Sequence, residues 1–315
     1  MKKLPGKKKW MSLWRHFYDR EKTVEQLTAS MIEWQEKWQW DWLKINPPAC
    51  YHVLDWGVKF KFYDDPLKEP TQIAPLIRSA QDLELVFPLD VRRGHLGEQL
   101  EVIRNLRKHF GPHLPIVETI FSPMEIAHRL AASRQAFSGL ARESPGPTIR
   151  LLRIITEVFR DFAIECLRAG ADGIFFATKW ASADWMKWTG YQDYAKPNDL
   201  EILQAVEKRN ALAILHVCGE RTFLPQMLDY PADMFSYDFY SEQSPNPFDV
   251  ADKTGKWVVG GIDPQALIEH PEVVIEQCRK YSGLAKWLPG PSCVVLPQTP
   301  DDSISKVKQA LERIL

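Results

Sequence analysis

The sequence predicts an α/β protein that folds as a single (β/α)8 TIM barrel domain over residues 1–315, with an N-terminal helical extension over residues 1–40. Eight short apolar runs without polar alternation are separated by segments of helical periodicity, which is typical of a parallel sheet covered by helices on both faces. Eight such units favour a closed barrel over an open, doubly wound sheet. The chain also lacks the Gly-x-Gly-x-x-Gly and phosphate-loop motifs of open nucleotide-binding sheets.

The apolar runs and the helical segments follow one another in chain order. Strands are predicted at residues 42–45, 85–89, 115–121, 173–177, 212–217, 234–237, 257–261 and 293–296. Helices are predicted at residues 23–40, 97–110, 123–133, 148–169, 191–209, 222–228, 264–268, 271–285 and 301–314. Several helix ends carry local signals. Ser122 and Pro123 form a cap and a first-turn proline, and Gly111 and Gly170 follow the last turns of two helices.

Three further segments are interpreted from their local patterns. Apolar and polar residues alternate over residues 58–63, which predicts a small hairpin strand outside the barrel. Residues 138–147 are rich in Gly, Pro and Ser and are predicted to form a loop. The i, i+4, i+8 spacing of Trp34, Trp38 and Trp42 predicts an apolar helical stripe that seats the N-terminal helix on the core.

Charge and composition exclude several classes of protein. A net charge of −1 gives no electrostatic footprint for nucleic acid or an anionic membrane, so we expect neither partner. No apolar run approaches the roughly 20 residues of a membrane span. The lysine-rich residues 2–9 precede no apolar stretch of signal-peptide length, so they are predicted to be the solvated end of a cytoplasmic protein. Five widely spaced cysteines without a Cys-x-x-Cys motif indicate reduced thiols.

Residues 212–219, Leu-Ala-Ile-Leu-His-Val-Cys-Gly, carry the strongest chemical signal. An apolar run that ends in His216 and Cys218 predicts a buried strand that delivers an imidazole and a thiol to its C-terminal edge, where barrel enzymes hold their active sites. Cys293, beside a later apolar run, is the candidate third ligand. Zinc with three protein ligands and one open position is a catalytic arrangement. The alternative is a hydrogen-bonded histidine beside a core cysteine.

Polar residues near the ends of other predicted strands are further candidates for the site. Asp90 and Arg92 are predicted to face the barrel mouth and to bind an anionic group such as a carboxylate or sulfonate, with surface ion pairing as the alternative. Asn46 is the candidate for substrate contact at the end of the first strand. Glu118 and Asp238 are placed near the ends of two more strands.

Six motifs in this chain resemble the uroporphyrinogen decarboxylase superfamily, in the order that the family has them. The superfamily includes porphyrin decarboxylases and zinc methyltransferases that take a methyl group from a corrinoid protein. The resemblance implies a barrel with its active-site groups at the strand C-termini. The motifs are Asp-Trp-Leu-Lys-Ile-Asn-Pro (41–47), Thr-Ile-Phe-Ser-Pro (119–123), Ala-Gly-Ala-Asp-Gly-Ile-Phe-Phe-Ala (169–177), Leu-His-Val-Cys-Gly (215–219), Gly-Gly-Ile-Asp-Pro (260–264) and Cys-Val-Val-Leu-Pro-Gln-Thr-Pro (293–300).

Within the superfamily the chain is most similar to the zinc-dependent methyltransferases of the methylcobamide:coenzyme M type. That branch binds zinc through a His-x-Cys pair and a later cysteine near the last strand, which His216, Cys218 and Cys293 match. The porphyrin decarboxylases carry an N-terminal Arg-Gln-Ala-Gly-Arg-Tyr segment, which is absent from this sequence. Their catalytic aspartate corresponds to Asn46, which cannot carry the negative charge.

The resemblance implies a zinc-dependent methyltransferase that moves a methyl group between a corrinoid, free or on a partner protein, and a thiol or other small acceptor. Zinc lowers the pKa of a bound thiol and so generates the nucleophile. Glu118 and Asp238 are the candidate catalytic carboxylates, as an oxygen ligand of the metal or, for Asp238, as the group that orients the histidine. The alternatives are a decarboxylase of a tetrapyrrole or other acidic substrate in porphyrin metabolism, and a non-catalytic barrel that binds a tetrapyrrole or corrinoid.

Overall fold

A computed structural model describes residues 10–315 of the protein. The lysine-rich residues 2–9, which are predicted to be a solvated end, lie outside the described residues. The strands are β1 (Leu43–Lys44), β2 (Lys59–Lys61), β3 (Thr71–Ala74), β4 (Ile116–Phe121), β5 (Gly173–Thr178), β6 (Leu212–Val217), β7 (Met234–Tyr237), β8 (Trp257–Ile262) and β9 (Trp287–Pro291). Seven of them form one curled parallel sheet in the order β1-β4-β5-β6-β7-β8-β9. The other two, β2 and β3, form the antiparallel hairpin that the alternating pattern predicts.

Helices connect the strands of the large sheet and pack against it. They are α1 (Val24–Trp38), α2 (Tyr51–Leu54), α3 (Gly94–Phe110), α4 (Pro123–Leu130), α5 (Arg134–Glu143), α6 (Pro145–Ala169), α7 (Trp188–Tyr194), α8 (Lys196–Glu207), α9 (Pro247–Thr254), α10 (Pro264–Glu269), α11 (Pro271–Arg279) and α12 (Asp301–Ile314). Among residues 10–315, none of the helices combines the length and the apolar character needed to cross a lipid bilayer.

Local capping explains where several helices begin and end. Ser122 Oγ accepts the backbone N–H of Glu125 at the start of α4, and the Asp263 carboxylate accepts two N–H groups at the start of α10. Each side chain satisfies donors that the first helical turn leaves unpaired. Gly111 follows α3 and Gly170 follows α6, both with positive φ, as the sequence predicts.

The α/β class and most of the predicted strands are confirmed, but the run at residues 85–89 is not a strand. A short 3-10 helix, Gln81–Leu85, ends there, and Leu85 and Phe87 are more than half exposed. The last strand is β9 and not residues 293–296. Pro289 and Pro291 lack an N–H group, and proline in a strand is confined to positions such as an edge, which is where β9 lies in the sheet order.

Two further expectations about the helices are wrong. The predicted loop at residues 138–147 lies within α5 and the first turn of α6, because Pro145 occupies a first-turn position where its missing N–H has no effect. The predicted helix at residues 222–228 is only a turn of 3-10 helix, Leu224–Gln226.

The chain before α1 is not purely a helical extension. Residues 11–15 run between β9 and β1, the two edge strands of the sheet. Ser12 N–H donates to Pro289 O at 3.3 Å, and Ser12 Oγ donates to Trp42 O at 2.8 Å. The sheet therefore contains seven strands among residues 10–315, and this irregular segment links its two edges.

The aromatic residues of the N-terminal region divide between two sides of the sheet. Trp34 and Trp38 on α1 join the large cluster between the sheet and its helices. Trp42 instead joins a smaller cluster on the interior of the curled sheet, where its ring centroid lies 5.3 Å from that of Trp14. The predicted stripe is therefore split, because Trp42 lies in the interior cluster rather than on the helix.

Arg107, near the end of α3, joins three segments at the N-terminal edge of the sheet. Its guanidinium donates to Gly170 O at 2.8 Å and forms an ion pair with Asp172, while the Asp172 carboxylate accepts the Ile116 N–H at 2.9 Å. The side chains of Arg107 and Asp172 are each about four-fifths buried, so water replaces these contacts poorly.

We expect Arg107→Met to lower the free energy of unfolding by about 2–4 kcal/mol, because it leaves a part-buried carboxylate and several carbonyl groups without a donor. Urea unfolding monitored by circular dichroism measures the change. Arg153→Met is the control, since Arg153 is an exposed partner of Glu157 on the surface of α6 and contributes little. Equal stability of the two variants would contradict the prediction.

Candidate metal centre

Strand β6 directs His216 into the interior of the curled sheet. Leu212 and Ile214 belong to the interior apolar cluster, whereas Leu215 and Val217 belong to the cluster that faces the helices. Because side chains alternate along a strand, His216 lies on the same interior side as Leu212 and Ile214. The His216 side chain is buried there, and its ring centroid lies 5.1 Å from that of Phe175.

Cys218 and Cys293 meet His216 at the C-terminal edge of the sheet. Cys218 follows β6, and its N–H donates to Thr178 O at 3.0 Å. Cys293 lies two positions after β9, where Ser292 N–H still donates to Ile262 O at 2.9 Å. The prediction that Cys293 begins a strand is therefore wrong, because it follows one. All three residues consequently lie at the same edge.

One ligand atom from each of His216, Cys218 and Cys293 lies within 4.8 Å of the others. The two sulfur atoms are 3.8 Å apart. Two sulfur atoms on one tetrahedral zinc ion, each about 2.3 Å from the metal, lie about 3.8 Å apart, so the observed spacing fits zinc. Within the part of the chain that the structure describes, this is the one group of three or more His, Cys, Asp or Glu residues with such spacing.

Hydrogen bonding prepares His216 to act as a ligand through Nε2. Its Nδ1 lies 3.1 Å from Ser236 Oγ on β7, and we assign the tautomer in which Nδ1 carries the proton and Nε2 is the acceptor. The Nε2 atom is buried and has no hydrogen-bond partner among the described residues. A buried acceptor without a partner is unfavourable, which is the property expected of an atom that coordinates a metal.

The contact between the two thiols shifts their pKa values in opposite directions. A hydrogen bond from Cys218 is the main cause that holds the pKa of Cys293 well below its usual value. The same contact with Cys293, together with burial, raises the pKa of Cys218. The contact thus favours deprotonation of Cys293, and the thiolate is the form of cysteine that binds metals.

Two residues beside this group were not predicted from the sequence. Ser236 interrupts an otherwise apolar strand, which is the signal that could have found it. Lys44 lies on β1, where its ammonium donates to Asn46 Oδ1 at 2.7 Å and lies 4.6 Å from the Phe175 ring centroid. Burial lowers the pKa of Lys44 to about 7, against the opposing charge of the Cys293 thiolate. The signal that could have found Lys44 is a charged residue inside a predicted apolar strand.

Asn46 lies at the end of β1, buried, with its amide oxygen held by Lys44. Its role in substrate contact stays a prediction.

Asp238 follows β7 at the same edge as the cysteines and is half-buried, and burial raises its pKa. Its carboxylate accepts Tyr240 N–H at 2.9 Å. The residue that contacts His216 Nδ1 is Ser236, so Asp238 does not orient the histidine as predicted; a catalytic role for Asp238 stays a prediction.

Glu118 is not an oxygen ligand of this group. On β4 the neighbouring residue Val117 belongs to the interior cluster, whereas Ile116 and Ile120 pack toward the helices. Because side chains alternate along a strand, Glu118 lies on the helix side with Ile116 and Ile120. Both carboxylate oxygens are buried without a hydrogen-bond partner, and burial raises the pKa of Glu118 well above its usual value. The predicted ligand role is therefore wrong, because the side chain faces the other side of the sheet.

Asp90 and Arg92 also lie away from the metal group. Arg92 donates two hydrogen bonds to Glu165, of 3.0 and 3.1 Å, and Arg93 pairs with Asp90 at 3.3 Å. Glu165 lies near the end of α6, just before β5 begins, and thus near the N-terminal edge of the sheet. The prediction that Asp90 and Arg92 bind an anion at the mouth is wrong, and the alternative of surface ion pairing describes them.

This chain is similar to known methyltransferases and to a known decarboxylase. Methylcobamide:CoM methyltransferase MtbA of Methanosarcina acetivorans is 24% identical over 243 residues, which cover 76% of this chain and 70% of that protein. A uroporphyrinogen decarboxylase of Koribacter versatilis is 24% identical over 190 residues, which cover 58% of this chain and 52% of that protein. The solved structure of a methyltransferase from Methanosarcina mazei has the same fold, with a TM-score of 0.79, 19% identity and coverage of 97% and 93%.

The sequence pattern described as Uroporphyrinogen decarboxylase (URO-D) matches residues 15–314, from the segment that links the edge strands to the end of α12. This match includes every residue of the candidate metal centre and extends over more than half of the chain. The protein belongs to the uroporphyrinogen decarboxylase (URO-D) family.

Proposed function

We propose that this protein is a zinc-dependent methyltransferase that moves a methyl group between a corrinoid, free or on a partner protein, and a thiol or other small acceptor. Family membership alone does not decide this, because the relatives include proteins named methyltransferases and decarboxylases. The observation that carries the proposal is the buried, unpartnered Nε2 of His216 beside two thiols 3.8 Å apart. A cytoplasmic location also stays a prediction.

His216, Cys218 and Cys293 would hold the zinc and leave its fourth position for the acceptor. When bound, the metal lowers the pKa of an acceptor thiol so that the thiolate is available at neutral pH. The protein's own residues fix the geometry. Ser236 orients the imidazole, and the indole N–H of Trp14 donates to Cys293 O at 2.7 Å, which holds the third ligand in place.

A decarboxylase is the second candidate, supported by the relative of that name. Its chemistry needs a group that stabilises a positive charge on a pyrrole. At the end of β1 the corresponding residue is the neutral Asn46, and its amide oxygen accepts a hydrogen bond from a lysine. This local arrangement supports the methyltransferase in preference to the decarboxylase.

Elemental analysis of the freshly purified protein tests the proposal. We expect one zinc ion per chain, and we expect the zinc-loaded protein to demethylate methylcobalamin when supplied with small thiols. The visible spectrum of the corrinoid reports the loss of its methyl group. A well-folded protein without metal that decarboxylates uroporphyrinogen would overturn the proposal and favour the second candidate.

We expect Ser236→Ala to weaken zinc binding by about 10- to 100-fold, because it removes the acceptor that fixes the orientation of His216. Competition with a chromogenic chelator measures the affinity. Ser30→Ala is the matched control, since Ser30 is also a buried serine, but its hydroxyl donates to Arg20 O, outside the metal group. Zinc affinities that are equal in the two variants would show that Ser236 does not support the ligand.

A further inference from the structure

The ammonium of Lys44 is a buried cation whose hydrogen-bond and ring contacts are with neutral groups. The Lys44 side chain is 6% exposed, and its Nζ donates to Asn46 Oδ1. The same atom lies 4.6 Å from the ring centroid of Phe175 and 5.7 Å from that of Trp14. None of the ion pairs found among residues 10–315 includes Lys44. A charge held out of water without an opposite charge is unfavourable, so the fold retains this lysine at a cost.

The two aromatic rings beneath the ammonium also contact the metal ligands. The Phe175 ring centroid lies 5.1 Å from that of His216, and Trp14 donates its indole N–H to the carbonyl of Cys293. The Lys44 charge therefore lies one ring away from two of the three ligand residues. Cys293 and Glu118 are the anionic groups whose charges act on it. Burial favours the neutral form of Glu118, which leaves the metal centre as the partner for the charge.

The charge of the proposed centre depends on what occupies its fourth position. Zinc with two thiolates and a neutral imidazole has no net charge, and a neutral fourth ligand leaves it so. An anionic fourth ligand gives the centre one negative charge, in an environment of low dielectric constant. Only in this second case does the nearby ammonium stabilise the complex.

We propose that Lys44 is the fixed countercharge for an anion at the fourth position of the metal centre, and thus selects an acceptor in its thiolate form. The inference rests on the proposed function. Lys44 is a positioning residue, because it acts through its charge across the ring of Phe175. Replacement of Lys44 by a neutral residue weakens the binding of anions at the metal centre and leaves the binding of neutral ligands there unchanged.

Lys44→Met in the cobalt-loaded protein tests this role, since Met has a similar length and no charge. Azide is the anionic probe and pyridine the neutral probe. The visible absorption of cobalt reports the binding of each at about pH 6, because burial lowers the pKa of Lys44 to about 7. We expect azide binding to weaken by about tenfold or more, because a unit charge at short range in the interior is removed. Pyridine binding should change by less than about twofold.

Lys44→Arg keeps the charge and should restore azide binding. The metal-free Lys44→Met protein should be at least as resistant to thermal unfolding as the unchanged protein, because the variant removes an unfavourable buried charge. Loss of the fold in Lys44→Met would overturn the inference, and so would equal weakening of azide and pyridine. A protein that takes up no cobalt overturns the proposed function as well, so the two failures are distinguishable.

Discussion

Replacement of Cys218 by serine is expected to abolish stoichiometric zinc binding and, with it, the methyl transfer from methylcobalamin to a thiol. A serine hydroxyl stays protonated at neutral pH and is a poor zinc ligand. Each ligand accounts for part of an apparent binding free energy of about 10–16 kcal/mol, so the loss of one should weaken zinc binding by at least about a hundredfold. Elemental analysis after gel filtration measures the zinc, and the corrinoid spectrum measures the transfer.

Cys293→Ser should have the same effect, because its sulfur is the partner of Cys218 in the group. Cys278→Ser is the matched control. Cys278 is a buried free thiol, whereas Cys218 and Cys293 are partly exposed free thiols. The Sγ of Cys278 lies 3.3 Å from Gly261 O, a contact that a hydroxyl can keep. We expect Cys278→Ser to retain full zinc and full activity. Stoichiometric zinc in Cys218→Ser, with normal folding of all three variants, would rule out the proposed ligand set.

Local pattern predicts two of the three ligands and fails for the third. His216 and Cys218 follow an uninterrupted apolar run, so the strand and its C-terminal edge are readable from neighbouring residues alone. Cys293 follows Pro-Gly-Pro, which predicts a turn, although the structure has a strand there. Proline is tolerated because β9 lies at one end of the sheet order. The family resemblance supplied Cys293 as a ligand, but not its position after a strand.

The groups that support the ligands depend on contacts between distant parts of the chain. Ser236 reaches His216 because β6 and β7 are neighbours in a particular register, in which the two residues pair directly. Lys44 reaches the same region because β1 presents it to the interior of the sheet. Sequence periodicity gives the side of a strand but not its neighbours. The wrong assignments of Asp90 and Arg92 have the same origin, since they depended on a strand at residues 85–89 that does not form.

Trp14 makes the clearest example of such a long-range contact, because its indole N–H donates a hydrogen bond to the carbonyl of Cys293. Its ring packs at 5.3 Å from Trp42 and 5.4 Å from Phe175, and Gly290 leaves the space that its edge occupies. The backbone carbonyl of Trp14 also accepts the N–H of Val295 at 2.9 Å. The residue thus joins the N-terminal segment, the interior of the sheet and the loop that carries the third metal ligand.

We therefore expect Trp14→Ala to lower the free energy of unfolding by about 3–5 kcal/mol, the usual effect of removing a buried tryptophan, and to weaken zinc binding as well. Trp14→Phe keeps an aromatic ring but removes the N–H donor, and should lower stability less, with about 1–3 kcal/mol from the unpaired carbonyl. Urea unfolding of the metal-free proteins and chelator competition measure the two effects separately.

Trp185→Ala, a change at an exposed tryptophan, is the control. If Trp14→Ala weakened zinc binding no more than Trp185→Ala, the N-terminal segment would have no part in holding the ligand. If both Trp14 variants weaken it, the metal centre depends on a segment that precedes the first helix.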